Sequence, residues 1–236
     1  MPLTIGADAG LTPAAVVAQH LPTGQWRVLD ELVAPPTGMG ARKFGDLLNR
    51  LLSERYAPWS SRLPRRGSFE PTDQAPIVLW GDPAANARAS TDEQTWLSVM
   101  QAVTGLACRP APTNRLTLRL EAVRLPLTRL LDGQPGLIVS PTCKTLRKGF
   151  NSGYRLRRMQ VGGSERFADE PDKNEFSHVH DALQYALLGG GGHLDVLGRR
   201  TRSAETLRQT RAIDDDAPGG EWLNDWNREG RDHAIG

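Results

Sequence analysis

The sequence predicts a mixed α/β domain that opens with an antiparallel β unit. Three observations predict it. The first 33 residues fall into three short apolar runs divided by turn residues, amphipathic spacing begins near residue 39, and strand-like and helical segments alternate from there to about residue 188.

The first run, Leu-Thr-Ile-Gly-Ala-Asp over 3–8, ends at Asp8-Ala9-Gly10. Runs over 14–21 and 25–33 follow, and the Pro22-Thr23-Gly24 between them predicts a hairpin. Phe44, Leu47, Leu48, Leu51 and Leu52 recur at i, i+3, i+4, i+7 and i+8, which predicts an amphipathic helix over 39–55. Residues 57–75, rich in Pro, Ser and Arg, read as a surface loop. Residues 76–82 form a buried strand that ends on Asp82. Trp96, Val99, Met100 and Val103 mark a helix over about 92–103, stopped at Gly105.

After a strand-like stretch over 106–112, Asn114 is placed to cap the next helix, with Leu116, Leu120, Val123 and Leu127 as its apolar stripe and Pro126 as a kink. Residues 136–141 form a further short strand, and 154–168 a hairpin turning at Gly162-Gly163. A helix over 177–188 ends in the glycine run 189–192. Residues 193–236 are polar, carry Asp214-Asp215-Asp216, and are expected to be a disordered tail with a short helix near 205–211. The expected organisation is one domain over 1–192 followed by this tail.

Composition excludes several classes. No apolar run reaches the ~18 residues that span a bilayer, so no membrane partner is expected, and the N-terminus lacks the pattern of a signal peptide. Cys108 and Cys143 are far apart, form no CxxC, and read as reduced thiols. No Cys/His set has zinc spacing, and no GxSxG or Cys/His arrangement supplies a side-chain nucleophile. Residues 193–236 carry 7 Arg against 9 acids, leaving 22 basic and 18 acidic side chains in 1–192. That mild basicity is compatible with nucleic acid.

Asp8 and Asp82 share a context at the C-terminal ends of short apolar strands, where open α/β sheets place their active groups. Asp181 stands early in the last helix. If that helix packs beside the first strand, three carboxylates converge, and their mutual repulsion calls for hard divalent cations such as Mg²⁺ or Mn²⁺. Two ions ~3.5–4 Å apart can activate a water and stabilise a leaving oxygen. Taken one at a time, Asp8 and Asp82 read more readily as turn formers or helix caps than as metal ligands, and Asp181 can simply favour the positive end of its helix.

The surrounding residues shift that balance. Over about 3–190 the chain resembles the nuclease domain of tailed-phage large terminases. The matching pieces run in order: Asp8-Ala9-Gly10; Trp80-Gly81-Asp82-Pro83-Ala84-Ala85 with Arg88; Asn114-Arg115 leading to Glu121-Ala122-Val123-Arg124; Leu137-Ile138-Val139-Ser140-Pro141 before Cys143-Lys144; and His178-Val179-His180-Asp181-Ala182-Leu183-Gln184-Tyr185-Ala186. The last piece is the most specific, and departs from the family pattern with Ser177 in place of Asp and Gln184 in place of Arg. The resemblance implies an RNase H-like fold, a mixed β-sheet flanked by helices, in which Asp8, Asp82 and Asp181 hold two Mg²⁺ or Mn²⁺ ions and double-stranded viral DNA is cut during genome packaging. It implies an ATPase domain, a portal and a small terminase as partners, in the cytoplasm of the infected bacterial host and transiently at the procapsid. No GxxxxGK[ST] loop occurs in this chain, so it is expected to be the cutting domain without its motor.

Around this centre, Lys144, Arg147, Lys148, Arg155, Arg157 and Arg158 lie in an acid-free stretch that could hold DNA phosphates. Arg62, Arg65 and Arg66 form a second basic cluster on the long loop. His178 and His180 are expected near the site without being required for catalysis, and Lys173 and Lys144 are candidates for charge stabilisation near the scissile phosphate. Glu31, Asp92, Glu93 and Glu121 are spare carboxylates with surface or capping roles. Rival readings are a junction resolvase or RNA–DNA hybrid nuclease, and a non-catalytic DNA-binding or docking module of the packaging motor.

Overall fold

The computed structural model describes residues 1–61, 76–87, 94–161 and 164–196, which fall in one compact unit, Met1–Leu197. The elements are β1 (Leu3–Asp8), β2 (Ala14–His20), β3 (Trp26–Val33), α1 (Ala41–Arg55), α2 (Ala57–Ser60), β4 (Ile77–Gly81), α3 (Pro83–Ala87), α4 (Trp96–Thr104) and β5 (Ala107–Pro110). Then come α5 (Leu116–Thr128), β6 (Leu130–Leu131), β7 (Gln134–Pro135), β8 (Leu137–Val139), α6 (Lys144–Lys148), β9 (Leu156–Val161), β10 (Ser164–Pro171), α7 (Ser177–Leu187) and α8 (His193–Val196).

Six strands form a mixed sheet in the order β5-β4-β1-β2-β3-β8. β1, β2 and β3 are the antiparallel unit expected from the opening runs, with a register shift between Val17 and Ala18. β4 is parallel to β1, β5 to β4, and β8 to β3. Helices cover both faces, and strand alternation assigns them. Leu3, Ile5 and Ala7 of β1 and Ala15 and Val17 of β2 face Phe44, Leu48 and Leu52 of α1 and Leu97 and Met100 of α4. On the other face, Ala14, Val16 and Ala18 pack with Ala122 and Val123 of α5 and Val179, Ala182, Leu183 and Ala186 of α7. The α/β sheet flanked by helices is therefore observed.

Two glycine features set how closely the layers approach. A Cβ on Gly6 would fall 1.9 Å from the Ala182 carbonyl oxygen and 2.5 Å from the Ala186 nitrogen, so α7 lies directly against β1 only because residue 6 has no side chain. The glycine run after α7 is more than a terminator: a Cβ on Gly189 would strike the Trp80 ring at 2.1 Å, and one on Gly190 the Trp26 ring at 2.5 Å.

Several local expectations need correction. Asn114 does not cap α5; the position before the helix is Arg115, with no side-chain cap. The buried face of α5 is Arg119, Ala122 and Val123, whereas Leu127 is exposed, because the helix turns the 119/122/123 stripe toward α7. The stretch beginning at residue 57 starts with the short helix α2 rather than loop, and the residues after Asp82 form α3 rather than a bare turn. A small ribbon, β6–β7, joined through Asp132 (φ 50°) and Gly133 (φ 75°), precedes β8.

The 154–168 hairpin is present as the antiparallel pair β9–β10, extending to Pro171. Its turn residues Gly162 and Gly163 lie outside the described residues, as do Arg62, Arg65, Arg66, Arg88, Asp92, Glu93 and the expected helix near 205–211. Among the described residues, no helix is long and apolar enough to cross a membrane.

Candidate active site

Register brings the first two aspartates together. Ala7 of β1 pairs with Gly81 of β4, and the strands are parallel, so the residues that follow, Asp8 and Asp82, leave the same sheet edge side by side. Alternation turns both toward α7. Asp8 has the parity of Gly6, against which α7 packs, and Asp82 that of Trp80, which lies on Gly189. The close approach at Gly6 then delivers the first turns of α7 to that edge.

On α7, His178, Asp181 and Tyr185 recur at i, i+3 and i+7 and share one stripe. His178 Nδ1 lies 2.7 Å from Asp8 Oδ2. This hydrogen bond, stronger here than the opposing cost of partial burial, keeps the His178 imidazole protonated above its ordinary range. Asp181 is buried and doubly paired: Oδ1 accepts from Arg119 Nη2 of α5, and Oδ2 lies 3.1 Å from Lys173 Nζ. Asp82 Oδ1 accepts from the Ala84 backbone N–H at 2.8 Å, at the start of α3.

Arg119 is the member that sequence reasoning missed, and Asn114, expected as a helix cap, is the one it gave the wrong role. Arg119 Nη1 donates to Asn114 Oδ1 at 3.0 Å, which also accepts from the Tyr185 hydroxyl at 2.9 Å. The guanidinium lies 4.5 Å from the Tyr185 ring centroid. The signal was available: Arg119 stands three and four residues before Ala122 and Val123, as the one cation on an otherwise apolar stripe. Tyr185 lies within electrostatic reach of each of the three aspartates. Burial pushes its phenol up, the Arg119 guanidinium works against this, and Asp82, Asp8 and Asp181 all add to the rise.

His180 lies one stripe over, with Ser177 and Gln184. Its ring stacks on Tyr154 at 4.4 Å, meets Phe150 edge-on, and its Nε2 is 3.2 Å from the Leu146 carbonyl oxygen. Burial brings its pKa down to about 4. Gln184 Nε2 donates to the Tyr154 hydroxyl at 2.8 Å, and burial pushes that phenol up to about 12, with Asp181 adding to the rise. These contacts tie the segment after α6, where a Cβ on Gly149 would meet His180 Nε2 at 2.1 Å, to the helix that carries Asp181.

The basic residues lie around this segment. Lys144, Arg147 and Lys148 on α6 and Arg155, Arg157 and Arg158 entering β9 are all exposed. Glu31 of β3 fixes α6 by accepting from the backbone N–H groups of Thr145 at 2.7 Å and Leu146 at 2.8 Å, a capping role. Glu121 pairs with Arg124 at the surface.

The donor set suits a hard divalent cation. Two carboxylates adjoin at neighbouring strand ends, a third faces them from α7, and an ammonium group already stands beside Asp181 Oδ2. Among the described residues, no three His, Cys, Asp or Glu side chains stand close enough together to hold a metal ion as they are placed.

No family model matches the chain, and no curated protein is similar to it in sequence. Among solved structures, the fold is similar to that of the nuclease domain of the large terminase (g2p) of bacteriophage SPP1, determined with bound Mn, at a TM-score of 0.48 and 13% identity over 79% of this chain and 85% of that one.

Proposed function

We propose that this chain is a divalent-metal-dependent endonuclease that cuts double-stranded viral DNA during genome packaging, with Asp8, Asp82 and Asp181 as the metal ligands. The observation that carries the reading is the meeting of Asp8 and Asp82 at adjacent parallel strand ends with Asp181 on the helix packed over them. The terminase-like run from His178 to Ala186 supports it, because the stripe that reaches the site contains the position at which that family holds its metal.

Mg²⁺ or Mn²⁺ bound by these carboxylates, as two ions, would lower the pKa of the attacking water and offset charge on the leaving oxygen. The chain's own residues do the rest. Asp8 and Asp82 present carboxylate oxygens from a rigid sheet edge, and Asp82 is oriented by the Ala84 N–H. Arg119, Asn114 and Tyr185 fix the buried side of Asp181. His178 is oriented by Asp8 through Nδ1 and is partly exposed, which leaves Nε2 to hold or release a proton. The exposed cations of α6 and β9 supply phosphate contacts that read backbone rather than base sequence. The ATPase, portal and small terminase implied by the resemblance would bring the substrate, in the host cytoplasm at the procapsid.

Cleavage of plasmid DNA in Mn²⁺ or Mg²⁺ tests the assignment. Asp8→Ala, Asp82→Ala and Asp181→Asn, the last keeping an acceptor for Arg119, are each expected to lower cleavage at least ~100-fold while remaining folded, in line with loss of a preorganised charge-stabilising group, and EDTA to abolish it. Folded variants that cut as well as the parent would overturn the ligand set. Linear duplex, four-way junction and RNA–DNA hybrid substrates separate the packaging nuclease from a resolvase or hybrid nuclease. A second reading, a DNA-docking module with a shut site, draws on the pairing of both Asp181 oxygens with Arg119 and Lys173. Failure of Mn²⁺ to bind in calorimetry would favour it.

A further inference from the structure

Asp181 meets two cations of different character. Arg119 is buried, with 9% of its side chain exposed, and is held on several sides by Asp181 Oδ1, Asn114 Oδ1 and the Tyr185 ring. Removing one partner of a buried, hydrogen-bonded pair strands the other charge, so this contact resists exchange. Lys173 lies between β10 and α7 with 73% of its side chain exposed, and its Nζ is 3.1 Å from Asp181 Oδ2. Although Asp181 is buried, the Lys173 ammonium stays largely in water, so little is lost when it is released and another cation takes its place on Oδ2.

We infer that Asp181 carries one permanent and one exchangeable cation: Arg119 stays, and Lys173 is the ion that an incoming divalent metal displaces from Oδ2. The inference rests on the metal-dependent reading above. It goes further in making Lys173 a competitor for the metal in the resting protein and Arg119 a positioning residue that leaves Asp181 one oxygen to offer.

Titration calorimetry with Mn²⁺, together with thermal unfolding with and without Mn²⁺, tests this on the full chain. Lys173→Met removes the competing cation at an exposed position. It is expected to unfold near the parental temperature and to bind Mn²⁺ about two- to fivefold more tightly, the worth of an ion pair whose cation is solvent-exposed. Arg119→Gln is expected to unfold at a lower temperature without metal and to gain more from Mn²⁺ than the parent, since the metal replaces lost counter-charge. Arg119→Lys, which keeps the charge, should fall between them.

Equal or weaker Mn²⁺ binding by Lys173→Met overturns the exchange. An Arg119→Gln protein that is less stable but gains the same increment from Mn²⁺ as the parent reduces Arg119 to packing, and also overturns it. If neither the parent nor Lys173→Met binds Mn²⁺, the metal-dependent reading itself fails. The two failures are thus distinct.

Discussion

His180 illustrates how a single side chain in this chain trades ionisation for packing. Stacked on Tyr154 and against Phe150, with Nε2 at the Leu146 carbonyl, it is held neutral in the folded state, and burial takes its pKa down to about 4. The unfolded chain binds a proton near the ordinary histidine value, so the folded state is penalised as pH falls from about 6.5 toward 4. The loss over that window is on the order of 2–3 kcal/mol. His180→Phe keeps the aromatic contacts and removes the titration. Urea denaturation at pH 7 and pH 4.5 should show the parent losing more stability than the variant, and parallel losses would contradict the assignment. His178 has the opposite sign: its pKa is raised by Asp8, so the stability it contributes is present at low pH and fades as pH rises through the folded value.

At the scale of elements, the contact of β1 with α7 decides whether a site exists. Gly6 permits it, and the nearest obstacles to a Cβ are the backbone oxygen of Ala182 and the nitrogen of Ala186, neither of which can rotate away. Gly6→Ala therefore has to move α7 off the strand. We expect a loss of about 3 kcal/mol or more, as for severe core overpacking, and weaker Mn²⁺ binding in whatever remains folded. Both are measurable by denaturation and calorimetry, and a neutral Gly6→Ala would mean that α7 does not sit as described. α6 is a contrasting case. Its five residues could not persist alone, and the Glu31 carboxylate anchors its first turn, so a half-buried carboxylate of β3 positions the cations Lys144, Arg147 and Lys148.

Across the whole molecule, the basic residues of α6 and β9 border the helix and loop that carry His180, Tyr154 and Asp181, so DNA held there would have its backbone near the carboxylates. Lys144→Ala combined with Arg147→Ala and Lys148→Ala should weaken duplex binding and lower the magnitude of the log K versus log salt slope by up to about 0.9 per lost phosphate contact. Sequence preference should be unchanged. Fluorescence anisotropy at several salt concentrations measures it, and an unaltered slope would remove α6 from the interface.

Much of this was legible before the fold. The strand runs ending on Asp8 and Asp82, the stripe of His178, Asp181 and Tyr185 at helical spacing, and the antiparallel opening unit all follow from period and turn chemistry, which act over a few residues. The Asp132-Gly133 pair also announced its ribbon, though it is easily passed over beside the adjoining helix. Arg119 was harder to read, because an arginine on a helix is ordinarily solvent-facing, and only the rotation of α5 against α7 buries it. Asn114 was misread for a related reason: Asn before a helix usually caps it, but here Arg119 and Tyr185 compete for its oxygen. By itself, then, the sequence determined which residues could be ligands and which elements carry them. Only the tertiary structure decided which charges meet, because the pairing of Asp181 with Arg119 and Lys173, and of Asp8 with His178, depends on contacts between segments up to 170 residues apart that no local pattern encodes.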